Sequence, residues 1–315
     1  MKKALIVGCD GQDGTYLFDL LDKKKYNVVG IGRGHVRSNA GQRLKAIDIL
    51  KAAEVAAFVK RSQPDEIYYL AAFHHSSQDR KNEDDEVLFK KSFNIHVHGL
   101  INFLDAMNQY ARKARLFYAA SSHVFGEPSR KVQNEMTPLI PVCIYGITKT
   151  AGIEVCQYYR RELGLFVSIG ILYNHESPRR AEKFVSQKIV KAALEIKAGR
   201  QSELILGDLK AVIDWGYAGD YVDAMRRILA HSEADDFVIA SGTTHTVREF
   251  VEGVFSLLKL DWKKYVREDK RLIQKTRRHL QGDSAKLKAA TGWEPRTDFK
   301  KLIAIMVKAG QGNGH

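Results

Sequence analysis

Tyr145 and Lys149 are side chains whose types and spacing suggest chemistry. At the start of a helix, two residues four apart lie on one face, one turn from each other. The lysine ammonium would then favour the tyrosine phenolate, which otherwise forms only near pH ~10. A tyrosine tuned in this way can take a proton from a sugar or alcohol hydroxyl while a hydride leaves the same carbon. Because this spacing also occurs by chance on many helices, the rest of the chain must supply the context.

The amino terminus carries a nucleotide-binding pattern. The apolar run Ala4–Val7 predicts a strand, and the period of Tyr16–Leu21 predicts a helix. Gly8, Gly11 and Gly14 lie between them, in the context that a dinucleotide-binding fingerprint requires. Gly8 would allow a tight turn, Gly11 would let the backbone approach a pyrophosphate, and Gly14 would let the helix pack on the strand. The N-terminus of the helix would then face the pyrophosphate anion. A plain glycine turn is the alternative.

The end of the second predicted strand, Asn27–Ile31, is where such a fold reads the adenine ribose. An acid there favours NAD, and an arginine accommodates the extra phosphate of NADP. The six residues that follow contain Arg33 and Arg37 and no acid. We therefore predict NADP as the cofactor, selected by Arg33 with Arg37 as its candidate partner, and keep NAD as the second choice. Solvated loop arginines are the alternative. Asp48 is expected to cap a helix at about 51–62 and to contact the adenine.

Strands and helices alternate along the chain, which predicts an α/β fold with a doubly wound parallel sheet of the Rossmann type. Polar insertions after the strand ends predict a smaller substrate-binding lobe. We expect residues 1–172 with about 208–245 to form the Rossmann domain, and about 173–207 with 246–315 to form the lobe. Further strands are predicted at Glu66–Ala72, Arg115–Ala120 and 166–172, and helices at Phe93–Ala114, 145–163, about 181–199 and 297–309.

Binding and catalytic groups collect at the carboxyl ends of parallel strands. Ser121 follows the strand predicted at Arg115–Ala120. This position would bring Ser121 to Tyr145.

Composition restricts the classes of partner. The chain has 315 residues, is 44% hydrophobic and has no apolar run of membrane length, so we expect a protein without a membrane segment. Its three cysteines lack metal-ligand spacing and fit a reducing cytosol, so we expect a cytoplasmic protein without a metal. The formal charge of +13 suits an anionic partner. No basic motif is interleaved with aromatics, so a phosphate-bearing small molecule is favoured over nucleic acid.

Taken together, Ser121, Tyr145, Lys149 and the glycine loop resemble the extended short-chain dehydrogenase/reductases. Four runs sharpen the resemblance to the GDP-mannose 4,6-dehydratase family, and it covers nearly the whole chain. They are Gly11-Gln12-Asp13-Gly14, the run from Gly170 through Asn174-His175-Glu176-Ser177-Pro178-Arg179-Arg180, Asp214-Trp215-Gly216 and Val247-Arg248-Glu249-Phe250-Val251.

The resemblance implies an NADP-binding Rossmann domain, a GDP-sugar lobe, and a dimer or tetramer formed through helices such as 93–114 and 145–163. In the family, tyrosine removes the proton as C4 of the sugar is oxidised. A glutamate then takes the C5 proton, water leaves from C6, and the hydride returns to C6. Carried over, Ser121 orders the C4 oxygen, Tyr145 is the base, and Lys149 holds the nicotinamide ribose. The candidate cofactor-binding residues are Gly8, Gly11, Gln12, Asp13, Gly14, Arg33, Asp48, Leu70, Ala71, Tyr145 and Lys149. The candidate substrate-binding residues are Ser122, Asn174, Glu176, Arg179, Lys188 and Arg267.

The sequence also departs from the family pattern. Counted back from Gly126, the position of the family's catalytic glutamate is His123, and the family's arginine before Asp-Trp is Ile213. The usual Ala-Ala-Gln-Ser is replaced by Ala-Ala-Phe-His-His at 71–75, and the chain is longer than the family pattern between residues 267 and 283.

These departures leave three hypotheses. The first is a dehydrogenase, reductase or epimerase that acts at C4 of a GDP-linked sugar without dehydration. The second is a 4,6-dehydratase of GDP-mannose or GDP-heptose with His123 as the base, since a neutral imidazole can remove a proton beside a ketone. The third, a remote alternative, is a non-catalytic NADP sensor.

Overall fold

The computed structural model describes residues 1–41, 44–74, 84–272 and 280–312. Its strands are β1 (Lys3–Val7), β2 (Asn27–Ile31), β3 (Val36–Ser38), β4 (Glu66–Tyr69), β5 (Arg115–Ser121), β6 (Val132–Gln133), β7 (Phe166–Leu172), β8 (His175–Glu176), β9 (Leu204–Leu206), β10 (Val212–Asp214), β11 (Gly216–Tyr217), β12 (Asp236–Ile239), β13 (Thr244–Thr246), β14 (Val266–Glu268) and β15 (Gln281–Gly282). Its α-helices are α1 (Gln12–Lys23), α2 (Ala52–Ser62), α3 (Asp85–Phe93), α4 (Gly99–Tyr110), α5 (Ile144–Leu163), α6 (Val185–Lys197), α7 (Ala218–Ala230), α8 (Val247–Leu257), α9 (Trp262–Tyr265), α10 (Ala285–Thr291) and α11 (Phe299–Gly312). A π-helical turn occupies Asn94–His98, and 3₁₀ turns occupy Ser122–Phe125 and Lys270–Leu272.

The central sheet confirms the predicted doubly wound fold. Among the described residues it has seven strands, in the order β12-β7-β5-β4-β1-β2-β3. Neighbouring strands are parallel except β2 with the edge strand β3. The strand order reverses between β1 and β4, where Val7 lies opposite Tyr69. Open parallel sheets bind ligands beyond the carboxyl ends of their strands at such a point.

Both faces of the sheet are covered, which explains why β1 is a continuous apolar run. Successive side chains of a strand point to opposite faces. Leu5 and Val7 therefore pack into one cluster with α2, α4 and α5, whereas Ala4 and Ile6 pack into another with α1, α7 and α10. The sheet is thus the middle of three layers.

A third apolar cluster lies away from the sheet. It joins α6, α8 and α11 to β9 and β14 and includes Ile189, Phe250 and Met306. In contrast, Leu287 of α10 and Trp293 pack with α7 in the core of the sheet domain. Within the described ranges, no helix is both long and apolar enough to cross a bilayer.

Two predicted elements have different bounds in the structure. The strand predicted at Glu66–Ala72 ends at Tyr69, because the following residues turn beneath the glycine loop. The helix predicted at Phe93–Ala114 begins earlier, at Asp85, and ends at Tyr110, with the π-helical turn inside it. The charges before residue 93 favour this early start, since α3 is acidic in its first turn and basic in its last.

Candidate active site

The glycine loop after β1 has the steric form of a dinucleotide cradle. Gly8 has φ +94°, and a Cβ there would lie 2.7 Å from the Ala71 nitrogen. A Cβ on Gly14 would lie 2.3 Å from the Gly8 oxygen, so α1 could not pack on the loop with a larger residue. At Gly11 the nearest described atom to such a Cβ is 3.5 Å away. Two glycines are therefore required by close contacts, and the third leaves space at the start of α1.

Asp13, in the first turn of α1, forms an ion pair with His175 of β8. The Nε2 atom of His175 lies 2.9 Å from each carboxylate oxygen of Asp13, and its Nδ1 lies 2.7 Å from the Tyr173 carbonyl. With an acceptor at each nitrogen, these contacts favour the doubly protonated imidazolium. Burial opposes both charges, but each partner outweighs it, so the pKa of Asp13 is lowered and the pKa of His175 is raised. Gln12 adds a second link, since its Nε2 donates to the His175 carbonyl and its Oε1 accepts from Ser177.

We predict that Asp13→Asn lowers the free energy of unfolding by ~2–4 kcal/mol, because it leaves a largely buried imidazolium without its partner. The loss depends on pH. The stabilisation from His175 is complete below the ordinary histidine pKa and disappears as pH rises through the raised value. The stabilisation from Asp13 is present above the ordinary aspartate pKa and disappears as pH falls through the lowered value. Urea unfolding should therefore show a larger loss of unfolding free energy at pH 5.5 than at pH 9.

Asp19→Asn is the control for this prediction. Its pair with Arg179 is about half exposed, so it should cost below ~1 kcal/mol at either pH.

An acidic side chain from another part of the chain lies at the end of β2. Asp10, from the glycine loop, accepts a hydrogen bond from the Arg33 backbone N–H at 3.1 Å and lies 3.1 Å from His35 Nε2. Arg33 is exposed, whereas Arg37 stacks 3.8 Å from the Phe18 ring. The run that follows β2 contains no acid, but Asp10 reaches this edge from the glycine loop after β1.

The thiol of Cys9 is close to the same edge. Its Sγ lies with ligand atoms of Asp10 and His35 in a group whose members are all within 4.8 Å of one another. Burial, followed by the Asp10 charge, raises the pKa of Cys9 to about 11. Asp10 and His35 are both exposed and contact each other, so we assign no metal here.

Tyr145 and Lys149 lie in the first two turns of α5, as predicted. Close contacts fix this helix. A Cβ on Gly146 would lie 2.6 Å from the His123 carbonyl oxygen, and one on Gly152 would lie 2.1 Å from the Tyr118 hydroxyl. Lys149 is buried, and its Nζ donates to the Ala119 carbonyl of β5 at 2.7 Å. Its ammonium lies 5.8 Å from the centre of the Tyr145 ring.

The electrostatics of this pair differ from the prediction. Burial raises the pKa of the Tyr145 phenol, and the positive charge of Arg180 acts in the opposite direction. Burial also lowers the pKa of Lys149 to about 7. In the protein without ligands, Lys149 therefore does not make Tyr145 acidic, because both groups lose hydration in the same site.

Three imidazole rings surround the Tyr145 ring. The centres of His74, His96 and His123 lie 5.1, 5.2 and 5.8 Å from it, each in an edge-to-face arrangement. Phe184, at the amino end of α6, contacts His74 at 5.2 Å, and Arg180 stacks 3.6 Å from Phe184. The segment before α6 therefore continues the cluster around the tyrosine.

His96 belongs to the π-helical turn, and its tautomer follows from its contacts. The Phe73 N–H donates to His96 Nε2 at 3.0 Å, so the proton is on Nδ1, which donates to Thr148 Oγ1 at 2.8 Å. Burial, with the charge of Lys149, lowers the pKa of His96 to about 2 and keeps it neutral. His96 therefore ties the loop after β4 to α5. The regular spacing of apolar residues in a helix does not point to His96. Such π-helical turns often occur at functional sites, but no sequence period marks them.

Ser121, Ser122 and His123 follow β5 directly. Ser121 is the N-cap of the 3₁₀ turn, and its Oγ accepts from the His123 N–H at 3.4 Å. Ser122 is buried, and His123 is exposed, with its Nδ1 3.6 Å from Cys143 Sγ. The carboxyl end of β5 thus places the histidine beside the first turn of α5.

Similarity to known proteins decides the family. A model of the GDP-mannose 4,6 dehydratase family matches residues 5–306. The chain belongs to the GDP-mannose 4,6-dehydratase family. GDP-mannose 4,6 dehydratase 2 of Arabidopsis thaliana is 37% identical over 327 residues, which cover 97% of this chain and 86% of that protein. The GDP-mannose 4,6 dehydratase of Homo sapiens is 33% identical over 342 residues, covering 97% and 90% respectively.

Solved structures show the same fold. RMD from Pseudomonas aeruginosa complexed with NADPH is similar with a TM-score of 0.85 and 20% identity, covering 99% of this chain and 100% of that one. The dTDP-glucose 4,6-dehydratase from Bacillus anthracis in complex with NAD has a TM-score of 0.83 and 19% identity, covering 100% and 98%. Neighbours of this fold thus bind either nicotinamide dinucleotide.

Three of the residues that the GDP-mannose 4,6-dehydratase resemblance marks for substrate follow β7. The Asn174 side chain is exposed beyond the strand, whereas Glu176 is buried and accepts from Ser186 Oγ at 2.6 Å. Arg179 turns toward α1, where its Nη1 donates to Asp19 at 2.9 Å. Of these three side chains, those of Asn174 and Arg179 are exposed, and that of Arg179 is held by α1. Their roles toward a substrate remain predictions.

Lys188 and Arg267 both contact β9. Lys188 Nζ donates to the Ile205 carbonyl at 2.8 Å, and Arg267 pairs with Ile205 across β14 and β9.

Asp48 lies in the loop before α2, but the N-cap of that helix is Lys51, so the capping prediction is wrong. The Asp48 side chain instead accepts from the Leu50 N–H.

The remaining assignments concern the edge of β4 and the loop beyond it. Leu70 donates its N–H to the Val7 carbonyl at 2.9 Å, and Ala71 lies under Gly8. His75 lies outside the described residues. His74, which precedes it, is part of the cluster around Tyr145.

Proposed function

We propose that the protein transfers a hydride at C4 of a GDP-linked sugar, as a dehydrogenase, reductase or epimerase that does not efficiently dehydrate its substrate. The family membership supports a nucleotide-sugar substrate. The observation that carries the proposal is the position of Tyr145 beside His123, at 5.8 Å between ring centres. The residues for C4 chemistry are retained, while an imidazole stands where the family pattern has a carboxylate.

The residues at the carboxyl ends of the strands fit a dinucleotide. The contacts at Gly8 and Gly14 leave no room for side chains, and Gly11 leaves the start of α1 accessible. A helix start of this kind favours phosphate, because its N–H groups are without intrahelical partners. A bound nicotinamide would accept or return the hydride at C4.

The side chains around C4 would handle the proton. Tyr145 exchanges it with the C4 oxygen, Ser121 orders that oxygen, and Lys149 holds the nicotinamide ribose. Since burial raises the pKa of Tyr145, its hydroxyl is protonated in the ligand-free protein, which is the form needed to reduce a C4 ketone. Oxidation at C4 requires the phenolate, and Arg180 is the cation whose charge would favour it.

For the cofactor we propose NADP(H), selected by the exposed guanidinium of Arg33. Removing a guanidinium–phosphate contact in Arg33→Ala should weaken NADPH binding by ~1.5–3 kcal/mol and leave NADH binding nearly unchanged. Fluorescence titration of both cofactors measures this. Asp10→Asn should not weaken NADPH binding, because it removes a negative charge from the same edge. Arg161→Ala, an exposed arginine on α5, is the control without an expected effect. Equal or tighter binding of NADH by the wild type would contradict the proposal and make Asp10 the ribose-reading acid.

For the nucleotide we propose guanosine diphosphate. At equal concentrations, GDP should raise the thermal unfolding midpoint more than UDP or dTDP does, because stabilisation follows the occupied fraction of the native state. Arg267→Ala should reduce the GDP shift, while Arg271→Ala, which removes a largely exposed side chain four positions further on, should not. A larger shift with UDP or dTDP would show that the protein takes a different nucleotide.

A further inference from the structure

Cys143 occupies a position that activates thiols. It is the N-cap of α5, a helix of 20 residues, and its Sγ accepts the Gly146 N–H at 3.4 Å. The same sulfur lies 3.6 Å from His123 Nδ1. A helix N-terminus and an adjacent imidazole both favour a thiolate. Two independent elements, α5 and the turn after β5, thus meet at one sulfur atom.

The other two cysteines provide an internal contrast. Cys9 and Cys156 are both fully buried. Burial raises the pKa of Cys9 to about 11 and the pKa of Cys156 well above its ordinary value. Cys143 is only half-buried, so a small reagent can reach it. All three are thiols, and only one combines access with activating neighbours.

We propose that Cys143 is a nucleophilic thiol and that, with His123 as its proton acceptor, it forms a modification site for small uncharged electrophiles such as hydrogen peroxide. The Sγ proton passes to His123 Nδ1, and the thiolate attacks one peroxide oxygen. The S–O bond forms as the O–O bond breaks, so sulfur is oxidised to a sulfenic acid and the peroxide is reduced. The hydroxide that leaves takes the proton from the His123 imidazolium and becomes water, so the histidine is neutral again.

The position of Cys143 gives this modification a consequence. The residue lies two positions before Tyr145, and its histidine partner contacts the Tyr145 ring. An added oxygen or alkyl group therefore enlarges the side chain at the first turn of α5, beside the tyrosine. We expect modification to stop turnover while the dinucleotide still binds. The reactivity of the thiol does not depend on the proposed substrate.

The test is the rate of alkylation by iodoacetamide at pH 7, followed by peptide mapping in a mass spectrometer. We expect one label per chain, on Cys143, at a rate about ten times that of glutathione, because the helix N-terminus and His123 favour the reactive thiolate. His123→Asn should slow labelling about tenfold, and His98→Asn, at an exposed histidine on the π-helical turn, should not. If Cys9 and Cys156 stay unlabelled by iodoacetamide in each variant, the fold of that variant is intact.

A second arm uses hydrogen peroxide with a reagent that traps sulfenic acid. The wild type should be trapped at Cys143, and Cys143→Ser should be neither trapped nor inactivated, because serine keeps the N-cap of α5. The proposal is overturned if Cys143 reacts no faster than glutathione, or equally fast in His123→Asn. Since labelling needs no sugar nucleotide, neither result bears on the C4 chemistry.

Discussion

Tyr145→Phe is expected to reduce turnover ~10²–10⁴-fold and to leave dinucleotide affinity unchanged, because it removes the one hydroxyl that we propose exchanges a proton with the C4 oxygen. The phenyl ring keeps the edge contacts with His74, His96 and His123, so the cluster should remain packed. Turnover is measured as the change in nicotinamide absorbance or sugar product with a GDP-sugar. Affinity is measured by NADPH fluorescence.

The matched control is Tyr158→Phe. This tyrosine is on the same helix and is 51% exposed, so losing its hydroxyl should change neither turnover nor affinity. If Tyr145→Phe keeps full turnover, Tyr145 is not the group that moves the proton. If the wild type binds dinucleotide and turns over no sugar nucleotide, the sensor hypothesis replaces the enzyme.

The residues that can be predicted from sequence are those tied to a local pattern. The apolar run of β1 followed by Gly8, Gly11 and Gly14 predicts a strand, a loop and a helix from consecutive residues alone. The spacing of Tyr145 and Lys149 places both on the first turns of α5. In each case the neighbours in sequence are also the neighbours in space.

Other residues reach the site from elsewhere in the chain, and no local pattern indicates them. Asp10 meets the end of β2 from the loop after β1, and His96 of the π-helical turn contacts the Tyr145 ring. Helical spacing predicts a lowered pKa for Tyr145, and this direction is wrong, because spacing does not report burial. Arg180 is visible in the polar run after β7, but nothing local indicates its influence on Tyr145.

The wild type is expected not to dehydrate GDP-mannose efficiently, because elimination needs a positioned base at C5. The family pattern predicts a carboxylate at the position of His123. Here the imidazole has its Nδ1 at 3.6 Å from Cys143, and its ring differs from a carboxylate in shape and reach. Loss of a positioned general base typically costs ~10²–10⁴-fold, whereas the proposed hydride transfer at C4 would use Ser121, Tyr145 and Lys149, which are all present. The sugar should therefore keep its oxygen count.

Mass spectrometry of the product and uptake of solvent deuterium at C5 measure both parts of this prediction. We expect no loss of water and slow deuterium uptake in the wild type. His123→Glu should restore part of the elimination and His123→Gln should not, since the two side chains are alike in shape and only the carboxylate is a base. We expect Ile213, which pairs with His245 in β10 and β13, to limit the recovery, because the family pattern predicts an arginine there. Rapid formation of a 4-keto-6-deoxy sugar by the wild type would show instead that His123 is the C5 base and that the protein is a dehydratase.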